Sequence, residues 1–407
     1  MVQIDFSDPG TNADPFPAFA RLQEEDPVHW SASLKAWIIT RYDHVKSIAL
    51  NNEEVSANRV APFFAAAPPE RRNTFPHLLT YLGDWMVFRD PPDHTRLRRL
   101  FNKAFTSRSV EVLRPNIQQI IDMLFADMEK SSRAHGAVDW IADFAYPLPA
   151  MVIMDLLGVP RAELRRVKVW SDDIALFIGS AQASAGKYER AETGARAIAD
   201  FFRSIVRERR VEPRDDIIST LVTVREEREV LSEDEVIATC ILLLFAGHET
   251  TTNLIGTGLY HTMRFREQWE RLKGDPSLLE TAIEEWLRYD GPTTALARVV
   301  RDDIEFGGRP LTKGQRVFAF TNAANRDPRQ FANAERLDLG RTPNPHLTFG
   351  HGIHFCLGAP LARLEGQIAL RNTVERFPDI GLADPFEPEW HDSLILRGLK
   401  SLPVRLR

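Results

Sequence analysis

Two stretches of this 407-residue chain hold residue types that core packing alone does not select. The first is Pro345-His346-Leu347-Thr348-Phe349-Gly350-His351-Gly352-Ile353-His354-Phe355-Cys356-Leu357-Gly358. Its glycines permit a tight turn that ends on a cysteine, and a helix is expected from about Pro360 to Phe377. A thiolate beside a helix N-terminus is stabilised by orphan N–H groups and the helix dipole. Such a loop can present an anionic sulfur to a metal. The second stretch is Ala246-Gly247-His248-Glu249-Thr250-Thr251-Thr252, set in the middle of an apolar helix. Glycine costs about 1 kcal/mol against alanine inside a helix, and threonine is a weak helix former. A buried carboxylate is expensive unless paired. Small residues allow something to approach the backbone closely, and a threonine hydroxyl can bond the carbonyl one turn back. Glu249 and Thr250 then read as an acid and an alcohol facing a ligand. The bland alternative is a solvent-reaching kink with Glu249 in a salt bridge.

Three rival readings of Cys356 exist. A free cysteine packs well as a small hydrophobe. His346, His351, His354 and Cys356 could hold zinc, although their spacing matches no finger or ribbon pattern. A Cys/His hydrolase is the third. None of them accounts for the second stretch. A haem between the two stretches accounts for both, with a thiolate ligand on one side and room with proton donors on the other.

These residues need elements to position them. Leu231 to Val236 opens a helix expected over 231–262. Ser232 and Glu235 fit a capping box, and Leu231 with Val236 fits a hydrophobic staple. Apolar residues on nearly all faces place this helix in the protein's middle. Upstream, Val28–Trp30 and Ala36–Thr40 read as short strands, and Asp43 as the cap of a following helix. Residues 58–83 read as a long irregular loop, of the kind that often serves as a lid or binding loop. A helical pattern runs from Asp93 to about residue 290. Strands return between Ala297 and Phe320, with turns at Gly307-Gly308 and Lys313-Gly314, and a last β piece spans Leu394 to Leu406. The expected fold is mainly α with small β-sheets, an α+β protein in one large domain over 1–407.

Composition narrows the classes. Apolar residues make up 43% and charged residues 27%, which excludes disorder for most of the chain. A net charge of −6 argues against a general nucleic-acid binder. The longest nearly apolar run, Val236 to Gly247, is too short for a bilayer, and Met1 to Phe6 has no signal-peptide pattern. No membrane association and a cytoplasmic location are expected. The two cysteines, Cys240 and Cys356, allow at most one disulfide.

With these residues assembled, the sequence resembles the cytochrome P450 family, specifically its soluble bacterial members, over nearly its whole length. The family's cysteine signature Phe-x-x-Gly-x-x-x-Cys-x-Gly is present as Phe349, Gly352, Cys356 and Gly358. The helix signature Ala/Gly-Gly-x-Asp/Glu-Thr-Thr is present as Ala246 to Thr251. Glu285 and Arg288 fit the Glu-x-x-Arg signature. Glu163 and Arg166 also fit it, but only Glu285 and Arg288 lie between the other two signatures. Arg341 resembles the third, structural member of that network. Ala324-Asn325-Arg326-Asp327-Pro328 is a further familiar stretch.

The resemblance implies the cytochrome P450 fold and haem b, with Cys356 as the iron's axial ligand. It places His94, Arg98, Arg298 and His354 on the haem propionates. Ala246, Gly247, Phe349, Gly350 and Gly358 also lie against the haem. Thr250 and Glu249 become the catalytic pair, Thr250 beside bound O2 and Glu249 feeding protons; His248 receives no role. That pair favours O2 activation with external electrons over peroxide use or isomerisation. The chain holds no flavin or iron–sulfur segment, so a ferredoxin or flavodoxin with an NAD(P)H-dependent reductase is implied. Arg96, Arg99 and Lys103 form either a basic patch for an acidic carrier or a merely solvated helix face. The substrate is a small apolar organic molecule, met by Phe63, Phe64, Phe177, Leu243, Thr294, Ala295, Leu296, Leu394 and Ile395. The expected activity is a monooxygenase that hydroxylates or otherwise oxidises this substrate. The rival from another class is a haem-thiolate sensor without turnover.

Overall fold

The computed structural model describes residues 4–6, 8–65, 74–104, 110–179, 186–224 and 230–406, with backbone alone at 103 and 104. Its axis is the helix Glu233–Arg264, which runs unbroken through the unusual stretch. The start forms as its residues require. Ser232 Oγ accepts from Glu235 N at 3.1 Å and Glu235 Oε2 accepts from Ser232 N at 2.8 Å. Leu231 and Val236 are both buried in one apolar cluster, as a staple demands.

The helices Pro147–Leu157, Lys187–Val211, Leu279–Asp290 and Ala359–Arg376 pack around this axis. A Cβ at Gly258 would lie 2.2 Å from the Trp286 ring, so only glycine lets the axis and Leu279–Asp290 come this close. Trp286 Nε1 then donates to Thr262 Oγ1 at 2.9 Å, which satisfies the indole in the closed seam.

Strands β1 (Val28–Ser31), β2 (Ala36–Ile39), β3 (Val55–Ser56), β5 (Ala295–Val300) and β8 (Arg316–Phe320) form one sheet in the order β1-β2-β8-β5-β3. Only β2 and β8 are parallel; Ala36 pairs with Arg316 there, and Leu296 pairs with Ala319 across β5 and β8. Strands β6 (Ile304–Phe306) and β7 (Arg309–Leu311) make a hairpin around Gly307-Gly308. Strands β4 (Val138–Asp139), β9 (Gly381–Leu382) and β10 (Pro403–Arg405) make a third, small sheet.

Several local expectations are revised. Residues 58–83 are not irregular: Val60–Ala65 is helical and Leu78–Leu82 forms a π-helical turn, while 66–73 lie outside the described residues. The helix Tyr42–Leu50 begins before Asp43, with Arg41 as its cap, so Asp43 acts in the first turn rather than as the cap. The C-terminal β piece shrinks to Pro403–Arg405 plus isolated bridges from Leu396 and Leu399. Cys240 and Cys356 are both free, Cys240 being buried in the axis helix, so the chain has no disulfide between them. Among the described residues no helix is long and apolar enough to cross a membrane.

Candidate active site

The odd stretch of the axis helix resolves into a stripe. Leu243, Ala246, Gly247 and Thr250 are the partly or fully accessible positions, while Leu242, Leu244, Phe245 and His248 are buried. Their spacing of 3, 4 and 7 is one helix face. Thr250 Oγ1 donates to the Ala246 carbonyl at 2.8 Å, so its hydroxyl oxygen is left to accept a bond from the groove. Glu249 stands beside this face with its side chain 19% exposed. Burial acts to raise its pKa, but the neighbouring His248, Lys168 and His391 prevail and hold the carboxyl below its ordinary range.

The cysteine loop is built by turns. Gly350 has φ 72°, a left-handed conformation that glycine adopts without strain, and Cys356 N donates to the Phe349 carbonyl at 2.9 Å. The helix Ala359–Arg376 starts directly behind it, with Gly358 as cap. The N–H groups of Gly358 and Ala359 reach the sulfur, and Arg98 and Arg363 add positive charge. The thiol surface is open to the groove, yet it lies deep among protein atoms. Burial therefore wins, and the Cys356 pKa lies above its ordinary value. The expected thiolate is not secured by the helix terminus and needs a cation at the sulfur.

A third group lies between these two. His94, on the helix Asp93–Ala104, and His354 meet with ring centroids 4.2 Å apart and planes tilted by 53°. Both His94 nitrogens and His354 Nε2 are buried without a hydrogen-bond partner. Arg298, on β5, is 7% exposed and donates to its neighbour's carbonyl, Ala297 O, at 3.0 Å. Arg98 Nη1 holds the Phe355 carbonyl at 2.8 Å. Arg59, absent from the sequence reading, joins the cluster from the 58–65 segment and stacks 4.7 Å over Phe88. Burial, only partly offset by Asp90, lowers Arg298 to about 10. Burial with the neighbouring cations lowers Arg59 to about 10 and His354 to about 3. The one carboxylate in the set, Asp90, is already shared by Ser56, Ala57 and Arg301.

Glu285 and Arg288 are fully buried and form a paired bridge at 2.7 Å. Arg341 donates to Glu285 at 3.1 Å, and Arg288 holds the carbonyls of Asn325, Ala334 and Arg336. The competing Glu163–Arg166 pair is a solvent-exposed contact.

The substrate-side residues divide. Phe63, Phe64 and Phe177 come together, at 5.7 and 5.9 Å between Phe177 and the other two rings. Phe75 and Tyr188 complete this aromatic cluster, and Leu396 packs on the same core; the sequence reading had none of the three. Ile395 lies against Gly179, two residues from Phe177. Leu296 reaches the Gly350 turn. Ala295 and Leu394 instead pack with Phe6, Phe19 and Phe320, and Thr294 spends its hydroxyl on the Leu394 carbonyl. The bend at 394–395 breaks strand alternation, which is why Leu396 replaces Leu394 on the central side.

Two further expectations fall. Arg96 is half-buried and paired with Glu235 at the start of the axis helix, so it is not part of an open basic patch. Of its companions, Arg99 is exposed and the Lys103 side chain lies outside the described residues. His346 pairs with Glu284 at 3.1 Å, and among the described residues no three His, Cys, Asp or Glu side chains converge as a metal site. The zinc reading is thereby removed.

Comparison with known proteins defines the class. The cytochrome P450 family model matches residues 28–275 and 275–379. The polyketide biosynthesis cytochrome P450 PksS of Bacillus subtilis is 38% identical over 401 residues, covering 97% of this chain and 96% of its own. The 6-deoxyerythronolide B hydroxylase of Saccharopolyspora erythraea is 37% identical over 408 residues, 97% of this chain and 96% of its own. The solved structure of CYP109E1 from Bacillus megaterium with testosterone superposes with a TM-score of 0.88 at 35% identity, covering 98% of this chain and 100% of the other. The chain belongs to the cytochrome P450 family. It is an oxidoreductase, a haem monooxygenase of small organic substrates that uses O2 and redox partners.

The residues present fit a haem. A pocket of buried cations and unpartnered imidazoles, with its only carboxylate engaged elsewhere, calls for an anionic group. The propionates of a haem would match that charge, and its iron would place a cation at the Cys356 sulfur.

Proposed function

We propose that this chain is a single haem b domain over 1–407, with Cys356 as axial ligand and His94, Arg98, Arg298, His354 and Arg59 around the propionates. The observation that carries this reading is the cationic cluster beside the cysteine loop, whose buried nitrogens lack partners. Bound there, the haem supplies the site at which O2 is reduced and one oxygen atom passes to the substrate. Gly247 and Ala246 keep the helix face low enough to admit it. Thr250 donates its hydroxyl hydrogen bond to Ala246 O, so its oxygen accepts from and steadies a water in the groove. Glu249, with its side chain partly exposed, carries protons from solvent to that water.

The substrate side is apolar and aromatic. Phe63, Phe64, Phe75, Phe177 and Tyr188 offer ring faces and edges. This favours a rigid apolar molecule of several rings or a macrocycle. The names of relatives agree, since one hydroxylates 6-deoxyerythronolide B and another is seen with testosterone. Electrons come from a ferredoxin or flavodoxin with an NAD(P)H-dependent reductase, docking where Arg99 is exposed beside the cysteine loop.

The test is an absorption spectrum of the purified protein, oxidised and then reduced under carbon monoxide. A strongly red-shifted Soret band is expected, and its loss in Cys356→His. A globin-like band in the wild type would overturn the thiolate assignment. Spin-state shifts with a steroid and a macrolide panel then test the substrate class.

A further inference from the structure

His248 lies in the axis helix's central stretch, directly before Glu249, and has no part in the proposed function. Its side chain is 0% exposed. Nδ1 lies 2.6 Å from the Leu244 carbonyl oxygen. A carbonyl only accepts, so Nδ1 carries a hydrogen, and Nε2 is the nitrogen left to take up or give up a proton. Nε2 is buried with no hydrogen-bond partner among the described residues, and Glu249 Oε1 lies 3.4 Å from it. The rings of Tyr146 and Phe245 pack edge-on at 5.6 and 6.4 Å and fix the imidazole plane. A sealed ring is thus held with its one exchangeable nitrogen beside the carboxyl that the proposed function makes a proton carrier.

We propose that His248 is the proton partner of Glu249, a positioning residue that stores a proton on Nε2 and returns it to the carboxylate. The step needs no outside reactant. The Nε2–H bond breaks, an Oε1–H bond forms, and an imidazolium–carboxylate pair becomes neutral imidazole and carboxylic acid. The carboxylic acid turns to the Thr250 side and gives up the proton there. The pair refills through Glu249, because Glu249 is 19% exposed while His248 is sealed.

Electrostatics gives this arrangement a purpose. Burial alone would raise the Glu249 pKa, but His248, Lys168 and His391 prevail and keep the carboxyl ionised. A carboxyl held ionised is a poor donor near neutral pH. An adjoining base that returns a proton makes it a competent one. The other facing groups cannot serve. Lys168 is engaged with Asp172 at 3.1 Å and lies over the Tyr146 ring. Burial pushes the Tyr146 phenol far above neutrality. Burial lowers the His391 pKa, with Glu249 and Asp172 only partly offsetting it, which makes it a poor proton store.

The inference rests on Glu249 being the proton carrier, and the experiment separates the two. H248Q keeps a hydrogen-bond donor but cannot release a proton; H248F keeps the ring packing and has no nitrogen. Infrared difference spectra of the reduced carbon monoxide complex follow the Glu249 carboxylic C=O band, identified by its absence in E249Q. Loss of His248 removes a group that lowers the Glu249 pKa, so the band should appear at higher pH in both variants than in the wild type. Coupled product formation should fall about tenfold at pH 8, the size of one charge-assisted hydrogen bond, and recover towards acid pH, where Glu249 protonates unaided. Haem content and substrate-induced spin shift should not change. An unchanged infrared titration, or coupling in H248F equal to wild type across pH, overturns the proposal while leaving Glu249 in place. Full coupling in E249Q overturns the carrier role itself, and the proposal with it.

Discussion

Replacing Arg298 by leucine should act with opposite signs on the haem-free and haem-bound protein. Arg298 is 7% exposed, and burial, only partly offset by Asp90, brings its pKa from 12.5 to about 10. The guanidinium therefore remains charged at neutral pH, at a cost to folding. A shift of this size corresponds to roughly 3 kcal/mol. Leucine keeps the strand position opposite Val317 on β8 and removes the charge. The haem-free variant should be more stable than wild type by up to about 3 kcal/mol in urea unfolding. The haem-bound variant loses a charge-assisted contact to a propionate, worth about 1.5–3 kcal/mol. Haem transfer to excess apomyoglobin should then run about 10- to 150-fold faster. A haem-free R298L that is markedly less stable, or a haem transfer rate within twofold of wild type, would refute the argument. Either result would make Arg298 an ordinary structural residue of β5.

Three other outcomes are expected. Thr250→Ala leaves haem content and substrate binding intact but diverts reducing equivalents to peroxide, read as product formed per NAD(P)H; unchanged coupling would remove Thr250 from proton delivery. Glu285→Gln leaves the fully buried Arg288 and the inner Arg341 without their carboxylate, and should cost about 3–5 kcal/mol in denaturant unfolding; a loss below about 1 kcal/mol would contradict the network. Asp290, clasped by Arg397 at 2.8 Å and His261 at 3.0 Å, has its pKa lowered to about 2 despite burial. Its folded pKa lies below its unfolded one, so its stabilisation of about 2–3 kcal/mol is present above pH ~4 and lost as pH falls towards ~2. D290N should flatten stability across that window, and an unaltered acid limb would refute this.

How much of this was legible in the sequence depends on the range of the interactions. The capping box at Ser232 and Glu235 and the strands at 28 and 36 are local devices, and they form where their residues stand. The turn that carries Cys356 is also local, fixed by Gly350. Order along the chain separated Glu285–Arg288 from Glu163–Arg166, a choice that the structure expresses as full burial against exposure. What escaped were contacts between distant segments. Arg96 faces the start of the axis helix rather than solvent, because Glu235 arrives from 139 residues away. Arg59 looks like any surface arginine until Arg298 and Phe88 are brought beside it. The pocket list failed at Ala295 and Leu394, since a bend at 394–395 hands the central position to Leu396.

The same reasoning explains why the thiolate cannot be read from the loop alone. The glycines, the helix start and the amides of Gly358 and Ala359 all favour an anionic sulfur. Burial opposes them and wins, leaving Cys356 with a raised pKa. Beside the loop, the cluster of Arg59, Arg98, Arg298, His94 and His354 has the converse defect, too much positive charge for the engaged carboxylate of Asp90. Each half is electrostatically unfavourable by itself, and one group with a cationic centre and two anionic arms relieves both. The protein thus carries its demand for the cofactor as two opposite errors of charge, which is why neither can be corrected by mutation without weakening the hold on the haem.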